Sequence, residues 1–468
     1  MDATELSRAI RTRQVSAVEV MQASIAQIDR VNPKVNAIVT RVDPERLLDA
    51  ARKADERQPK GRTRGPLHGF PHAVKDLMPT AGIRTTYGSP IYRDNVPAED
   101  GLLVQRLKAA GAIIIGKTNT PEFGAGSQKL NAVFGATRNP YDTTKTCGGS
   151  SGGAAVAVAC GMTPLADGSD HGGSLRNPPS FCNVVGFRPS FGRVPQWPKS
   201  QPWTSMSVDG PIARSVRDVA FLMTVLAGPD PRSPVAIDEP GSIFAGALTR
   251  DFKGARIAWS RRLGKYSVEP VVNQVCDSVR HVFTDIGCVV DDGEPDVADA
   301  DEIFQVLRAW SFAQERAEDL RLHRGLMKDT VIWNIEQGLK LTGLEVSRAE
   351  ARRSALRERA RVFLDRYEFL VLPVSQVAPF SVDVPWVTSI NGVTMPTYID
   401  WMATCYAITL TGLPAISVPC GFTPGGLPIG LQIVGRHRRD LDVLKLAHAF
   451  EQATRTARQR PGVVGSVA

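Results

Sequence analysis

Residues 147–159 read Cys-Gly-Gly-Ser-Ser-Gly-Gly-Ala-Ala-Val-Ala-Val-Ala, a glycine- and serine-rich stretch that runs straight into an apolar segment. A second island of similar composition, Asp-His-Gly-Gly-Ser-Leu-Arg, occupies residues 170–176. Flexible linkers share this composition, but a linker would not continue into the apolar helix predicted over residues 154–159. A phosphate-binding loop is another alternative, although its usual glycine and lysine spacings are absent. Glycines beside a serine are also typical of a nucleophile, because they let backbone amides approach a reacting carbonyl.

A serine nucleophile needs a base to accept its proton, and histidine is the usual partner. The chain has seven histidines, and none lies in a Gly-x-Ser-x-Gly context. His171 is three residues before Ser174 and adjacent to Asp170, so it is a candidate base, but a pocket-lining or structural role is the favoured interpretation. The consecutive amides of Gly172, Gly173 and Ser174 could supply an oxyanion hole.

Helical and short apolar segments alternate around the two islands. A capping box, Ser16 with Glu19, predicts a helix that ends at Asn32-Pro33, and further helices are predicted over residues 102–110 and 216–226. Short apolar runs predict strands at residues 70–74, 112–115, 257–259, 288–290, 369–372 and 415–418. This succession predicts an α/β layered fold with a mostly parallel sheet.

Composition excludes several classes of protein. Of 468 residues, 43% are hydrophobic and 22% charged, as in ordinary globular domains. The net charge of +8 is scattered along the chain, so nucleic acid is not an expected partner. A secretory signal and an apolar run of 18 residues are both absent, so no membrane association is expected. Seven cysteines without a Cys-x-x-Cys pair predict reduced thiols in the cytoplasm and no zinc site.

Seven segments together resemble the amidase signature enzymes. They are Gly-Phe-Pro-His-Ala-Val-Lys-Asp (69–76), Gly-Gly-Ser-Ser-Gly-Gly (148–153), Ser-Asp-His-Gly-Gly-Ser-Leu-Arg-Asn-Pro (169–178), Phe-Cys-Asn-Val-Val-Gly-Phe-Arg-Pro (181–189), Asp-Gly-Pro-Ile-Ala-Arg (209–214), Gly-Leu-Pro-Ala (412–415) and Gly-Leu-Pro-Ile-Gly-Leu-Gln (426–432). Because segments near both ends belong to one pattern, residues 1–468 are expected to form a single domain. Residues 230–365 would be a variable, substrate-determining segment within it.

The resemblance implies a large twisted mixed sheet flanked by helices on both faces, and a Ser-cisSer-Lys triad. Ser174 would attack the carbonyl, Ser150 would relay the proton after a cis peptide bond, and neutral Lys75 would be the final base. The family forms its oxyanion hole from the backbone amides at positions matching His171, Gly172, Gly173 and Ser174. Positions matching Ser151, Asp170 and Arg176 hold these loops by hydrogen bonds.

Neutrality of Lys75 is a demanding condition. A model lysine has a pKa of about 10.4, so keeping the amine mostly neutral at pH 7 is equivalent to about 4.6 kcal/mol. Burial can supply this, provided that no carboxylate touches the amine. Asp76 follows directly, but alternation along a strand would turn it to the opposite face. Without the serine islands, an exposed lysine at a strand end would be the favoured interpretation.

Family members cleave linear amides, and some also cleave esters or carbamates, through an acyl-enzyme and without metal or organic cofactor. The candidate substrate-binding residues here are Gly126, Ser127, His171, Trp197, Trp203 and Met206. Their aromatic content favours an aryl or other hydrophobic amide, or a carbamate, as the small-molecule substrate. His171 stands where Thr or Ile is common in the family, and its side chain is expected on the leaving-group side.

Two alternatives to such an amidase stay open. The glutaminase component of a tRNA-dependent glutamine amidotransferase, its A subunit, has the same triad but passes ammonia to a partner chain. A non-catalytic binding scaffold is the alternative from another class, although all three triad residues are present. A homodimer is the expected state on base rates alone.

Overall fold

Fourteen α-helices occur in the residues that the computed structural model describes, 1–58, 63–126 and 131–465. They are α1 (Ala3–Arg11), α2 (Ala17–Val35), α3 (Pro44–Arg57), α4 (Leu102–Ala109), α5 (Gly152–Ala159), α6 (Asn177–Phe181), α7 (Val216–Leu226), α8 (Pro270–Asp277), α9 (Arg280–Asp285), α10 (Ala300–His323), α11 (Asp329–Leu339), α12 (Gly343–Arg366), α13 (Ala403–Thr411) and α14 (Asp440–Thr454).

Thirteen strands in the same described ranges form a large sheet, a small sheet and a hairpin. They are β1 (Ile38–Arg41), β2 (Pro71–Lys75), β3 (Ile113–Thr118), β4 (Leu165–Asp170), β5 (Val185–Arg188), β6 (Val208–Ala213), β7 (Arg256–Trp259), β8 (Val289–Asp292), β9 (Phe369–Pro373), β10 (Ser389–Ile390), β11 (Val393–Thr394), β12 (Ala415–Phe422) and β13 (Pro428–Gly435). The large sheet has the order β4-β6-β5-β12-β13-β9-β7-β8, the small sheet has the order β1-β3-β2, and β10 pairs with β11.

The large sheet is mixed, as expected, but its strands are mainly antiparallel. Every pair from β4 along the row to β9 is antiparallel, whereas β9, β7 and β8 at the other end run parallel. The prediction of a mostly parallel sheet is therefore wrong. Strands β9 and β13 are buried along their whole length, and burial on both faces produces the continuous apolar runs that are typical of parallel strands.

Most predicted elements are present, with ends that differ from the predicted ones by up to four residues. The predicted strands at 257–259 and 288–290 are confirmed as the parallel pair β7–β8. Helix α2 passes the predicted stop at Asn32-Pro33 and ends at Val35, where Asn36 takes a left-handed conformation (φ 53°). Pro33 lies in the last turn of α2, so its missing amide removes one hydrogen bond near the end of the helix and the helix continues to Val35.

An edge strand of the small sheet lies against an edge strand of the large sheet. Strand β2 packs against β4, and the apolar helix α5 contacts both strands. The side chains of α5 are buried throughout, so this helix fixes the two sheets relative to one another. No helix within the described ranges is both long and apolar enough to cross a membrane.

Candidate active site

Lys75 is the last residue of β2, and its side chain is completely buried, with 0% exposed. Its Nζ lies 2.8 Å from the Oγ atoms of Ser150 and Ser151 and 2.9 Å from the Oγ of Ser169. Burial disfavours the charged form of an amine. The lysine amine is therefore placed among hydroxyl groups in the interior, next to the serine predicted to relay its proton.

Asp76 is engaged elsewhere. Its carboxylate accepts hydrogen bonds from the Thr86 hydroxyl (2.5 Å) and amide (3.2 Å). Burial raises the pKa of Asp76, and the nearby cation Lys117 opposes that rise. Burial in turn lowers the pKa of Lys117 to about 8. The carboxylate that follows Lys75 in sequence is thus held by its own partners.

Ser150 and Ser151 stand at the start of α5, and the peptide bond between Gly149 and Ser150 is cis. The Ser151 hydroxyl also donates to the Ser169 carbonyl (3.2 Å) and accepts from the Ser169 amide (3.3 Å). This pair of bonds ties the first island to β4, and β4 leads directly into the second island.

Ser174 lies four residues beyond the end of β4, in a loop organised by the Asp170 carboxylate. That carboxylate accepts hydrogen bonds of 2.9–3.0 Å from the amides of Gly173 and Leu175 and from the guanidinium groups of Arg176 and Arg188. Burial alone would raise the pKa of Asp170, but the two arginines hold it well below its usual range. Asp170 is therefore a buried anion around which the nucleophile loop is folded.

The backbone amides of this loop fall into two groups. The Gly173 amide donates to Asp170, so the oxyanion-hole prediction for Gly173 is not met in this structure, because the loop itself satisfies that amide. The amides of His171, Gly172 and Ser174 have no acceptor among the described residues. Gly173 has a left-handed φ of 131°, and a Cβ there would lie 2.6 Å from the Cβ of Cys405, so this position requires glycine.

A cavity of about 280 Å³ opens over these serines. Ser150, Ser169 and Ser174 line it, and 9% of Ser174 is exposed. Its walls include four of the predicted substrate-binding residues: Gly126, His171, Trp197 and Met206. Further lining residues come from α10: Leu307, Arg308, Trp310, Ser311, Phe312, Glu315 and Arg316. The segment predicted to be variable thus supplies one wall of the cavity.

One predicted substrate-binding residue does not line the cavity, and another is not described by the structure. Trp203 is 74% exposed and is not part of the cavity wall. Its prediction was wrong because proximity in sequence to the glycine- and serine-rich islands does not indicate which way an aromatic side chain faces. Ser127 lies outside the described residues.

His171 forms part of the cavity wall, packed edge-on against Phe304 with ring centroids 5.8 Å apart. Its Nε2 is buried without a hydrogen-bond partner in the described part of the chain. Burial lowers the pKa of His171 well below its ordinary value, and the positive charge of Arg308 lowers it further. The side chain is therefore a neutral wall residue.

Sequence reasoning missed three residues of the site. Ser169 contacts the lysine amine, and Asp167, two residues earlier on the same face of β4, accepts from the Lys75 amide (3.2 Å) and contacts His72 Nε2 (2.9 Å). Arg188 shares Asp170 with Arg176. The period of two along a strand could have found Ser169 and Asp167, if residues 165–170 had been assigned as a strand.

Comparison with known proteins identifies the family. The family model described as Amidase matches residues 19–444 of this chain. The chain belongs to the amidase signature family. The resemblance read from its sequence segments is therefore confirmed, and so is the α/β fold with a mixed sheet between helices.

Several members of the amidase signature family resemble this chain along its whole length. An acylamidase of Rhodococcus erythropolis is 36% identical over 464 residues, which cover 98% of this chain and 97% of that protein. The A subunit of the glutamyl-tRNA(Gln) amidotransferase from Moorella thermoacetica is 34% identical, with 98% of each chain covered. The crystal structure of a bacterial aryl acylamidase of the family superposes with a TM-score of 0.92 at 27% identity, covering 100% of this chain and 99% of the other. Membership makes this protein an amidase-type hydrolase.

Proposed function

We propose that this protein hydrolyses linear amides through an acyl-enzyme on Ser174, with Ser150 and Lys75 as its proton relay and base. The observation that carries the proposal is the 2.8 Å contact between the fully buried Lys75 Nζ and Ser150 Oγ, at the floor of a cavity that Ser150 and Ser174 share. A buried amine beside a hydroxyl is the arrangement that a lysine base requires.

The proposed reaction moves one proton along the three residues. Ser174 Oγ bonds to the substrate carbonyl carbon while its proton passes to Ser150 Oγ and the proton of Ser150 passes to Lys75 Nζ. The amides of Gly172 and Ser174 are available to donate to the resulting oxyanion. When the C–N bond breaks, the proton passes from Lys75 Nζ through Ser150 Oγ to the leaving amine. Water then attacks the acyl carbon while one of its protons passes through Ser150 to Lys75. The C–O bond to Ser174 breaks, the carboxylic acid leaves, and the proton returns through Ser150 to Ser174 Oγ.

Aryl or hydrophobic amides are the proposed substrates. Trp197, Trp310, Phe312, Leu307 and Met206 give the cavity an apolar lining, which suits an aromatic acyl or amine group. The similarity to an aryl acylamidase points the same way. Esters and carbamates present an equivalent carbonyl to Ser174, so we include them as additional substrates. The proposal involves a small-molecule substrate, and neither nucleic acid nor a membrane takes part; the homodimer and the cytoplasmic location stay predictions.

A panel of anilides, aliphatic amides, esters and carbamates tests the proposal. We expect anilide turnover that disappears in Ser174→Ala, nearly disappears in Lys75→Ala and falls by roughly two to three orders of magnitude in Ser150→Ala. A fluorophosphonate should label the wild type and leave Ser174→Ala unlabelled. Near-wild-type turnover in Lys75→Ala would refute the relay, and labelling retained in Ser174→Ala would refute the nucleophile.

The second candidate is the glutaminase component of a tRNA-dependent amidotransferase, favoured by the 34% identity to such a protein over nearly the whole chain. It predicts release of ammonia from glutamine that depends on companion chains. Turnover of anilides by the isolated chain, with no stimulation of glutaminase activity by added amidotransferase components, would exclude it.

A further inference from the structure

Arg308 is a buried cation in the wall of the candidate active site. It projects from α10, is 5% exposed, and lines the cavity together with Ser174 and His171. Among the described residues it forms no ion pair with a carboxylate. Burying a charge without a counter-ion costs free energy. An anion from outside the chain would therefore be stabilised by binding to Arg308.

The guanidinium of Arg308 is held from one side. Its Nε and Nη2 donate to the hydroxyl oxygen of Tyr398 at 3.3 and 2.8 Å, and Asn334 Nδ2 donates to the same oxygen at 2.5 Å. The rings of Phe312 and Phe304 lie 4.8 and 6.0 Å from its central carbon. A guanidinium carries five N–H groups, and within the described ranges both hydrogens of Nη1 and one of Nη2 have no acceptor. The edge formed by Nη1 and Nη2 can bind a carboxylate with two parallel hydrogen bonds.

Other cations of the cavity wall already have partners. Arg316 contacts Asp319 at 3.3 Å and Arg353 contacts Glu350 at 3.5 Å. Lys199 donates to a side-chain amide oxygen and a backbone carbonyl. Arg308 therefore differs from Arg316 and Arg353 in having no carboxylate contact within the described part of the chain. Lys199 likewise has only neutral hydrogen-bond acceptors there, but the charges of Asp209 and Glu315 lie near it.

Arg308 is also close to the nucleophile loop. Phe304 lies between Arg308 and His171, with contacts of 6.0 and 5.8 Å to the two residues. His171 is three positions before Ser174. An anion bound to Arg308 would thus lie in the same cavity as Ser174.

We propose that Arg308 binds a carboxylate group of the substrate, so that the preferred amide carries an acid in addition to its hydrophobic part. The inference rests on the proposed amide hydrolysis and narrows its substrate class to acidic amides. Arg308 is in this view the residue that selects such substrates.

Matched substrate pairs test this inference. One pair carries the group on the acyl side, the 4-nitroanilide of succinic acid and its terminal primary amide. The other carries it on the amine side, N-acetyl-4-aminobenzoate and N-acetyl-4-aminobenzamide. For at least one pair we expect the carboxylate to be favoured in kcat/KM by roughly 10- to 150-fold, the range for hydrogen bonds to a charged group. Arg308→Gln should bring that ratio close to one.

Arg316→Gln is the control, because it removes the same charge from the same wall at a residue with its own carboxylate partner. It should keep the wild-type preference. A preference that survives in Arg308→Gln, or neutral members cleaved as well as acidic ones by the wild type, would overturn the inference while amide hydrolysis stood. No Ser174-dependent cleavage of any member would overturn the proposed function instead.

A binding measurement makes the test independent of turnover. In Ser174→Ala, benzoate should raise the melting temperature more than benzamide at equal concentration, and Arg308→Gln in that background should abolish the difference. Equal shifts with the two probes would count against Arg308 as a carboxylate site.

Discussion

Replacing Asp170 by Asn should destabilise the protein and inactivate it together. The carboxylate accepts five hydrogen bonds from four residues, and Arg176 and Arg188 are both buried beside it. Asparagine is of similar size but removes the charge and turns an NH₂ group toward donors. Breaking a buried ion pair by removing one partner costs about 3–5 kcal/mol, and here two guanidinium groups lose the same partner.

The expected change in melting temperature follows from the length of the chain. Unfolding entropy scales with residue number, which gives about 1 °C per kcal/mol for a chain of this size. Asp170→Asn should therefore melt about 3–5 °C below the wild type at pH 7. Anilide kcat should fall at least about 100-fold, comparable to the loss of an oxyanion-hole donor, because the amides of Gly173 and Leu175 lose their anchor.

The pH dependence gives an independent check. Since the arginines hold the pKa of Asp170 below its ordinary value of 3.8, its stabilisation is complete above that value and is lost as the pH falls through the folded-state pKa. The gap between wild type and Asp170→Asn should thus be constant from pH 6 to 8 and shrink in acid.

Asp365→Asn provides the control at an exposed site. Asp365 forms a surface ion pair with Arg361 at 2.8 Å, and exposed pairs of this kind contribute little. The melting temperature and kcat of this variant should match the wild type. An Asp170→Asn enzyme with wild-type melting temperature and kcat would refute the account of the nucleophile loop.

Three further predictions concern the cavity wall. His171→Thr should change the ratio of kcat/KM between substrates with different amines while acylation persists, because the neutral imidazole packs on Phe304; an abolished acylation burst would make it a base instead. Burial raises the pKa of Asp209 from 3.8 to about 6, so its contribution to stability is complete below pH 3.8 and lost as the pH rises through 6. The wild type should lose about 3 kcal/mol relative to Asp209→Asn between pH 4 and 7, and a pH-independent difference between their melting curves would contradict this. Trp203→Ala should leave KM for anilides unchanged and Trp197→Ala should raise it, as measured by initial rates; equal effects would contradict the assignment of the wall.

The sequence predicts which side chains meet at the candidate site more reliably than it predicts strand direction. The family resemblance implies roles for Lys75, Ser150 and Ser174, and the structure places the lysine amine beside Ser150 and both serines in one cavity. The parallel direction assigned to the sheet was wrong, since a buried strand such as β12 has the same apolar run whichever way its neighbour points. Direction is set by connections between distant segments, which local patterning does not encode.

Side-chain orientation is the second feature of this protein that the sequence does not predict. Trp197 and Trp203 are six residues apart in one loop, yet the first lines the cavity and the second faces solvent. Arg308 lies in a helix with charged residues along much of its length, where a solvated role is the ordinary interpretation. The burial of Arg308 follows from the packing of α10 against residues 170–176, which the sequence alone does not indicate.

The two hydroxyl groups and the amine of the proposed relay belong to different structural units. Lys75 ends a strand of the small sheet, Ser174 follows an edge strand of the large sheet, and Ser150 precedes the helix wedged between them. A partly unfolded chain in which the small sheet has separated from the large sheet would retain Ser174 as nucleophile but would lack Lys75 as the proton acceptor. Hydrolysis would then report that both sheets have docked, and refolding experiments should recover activity in step with the contact between β2 and β4.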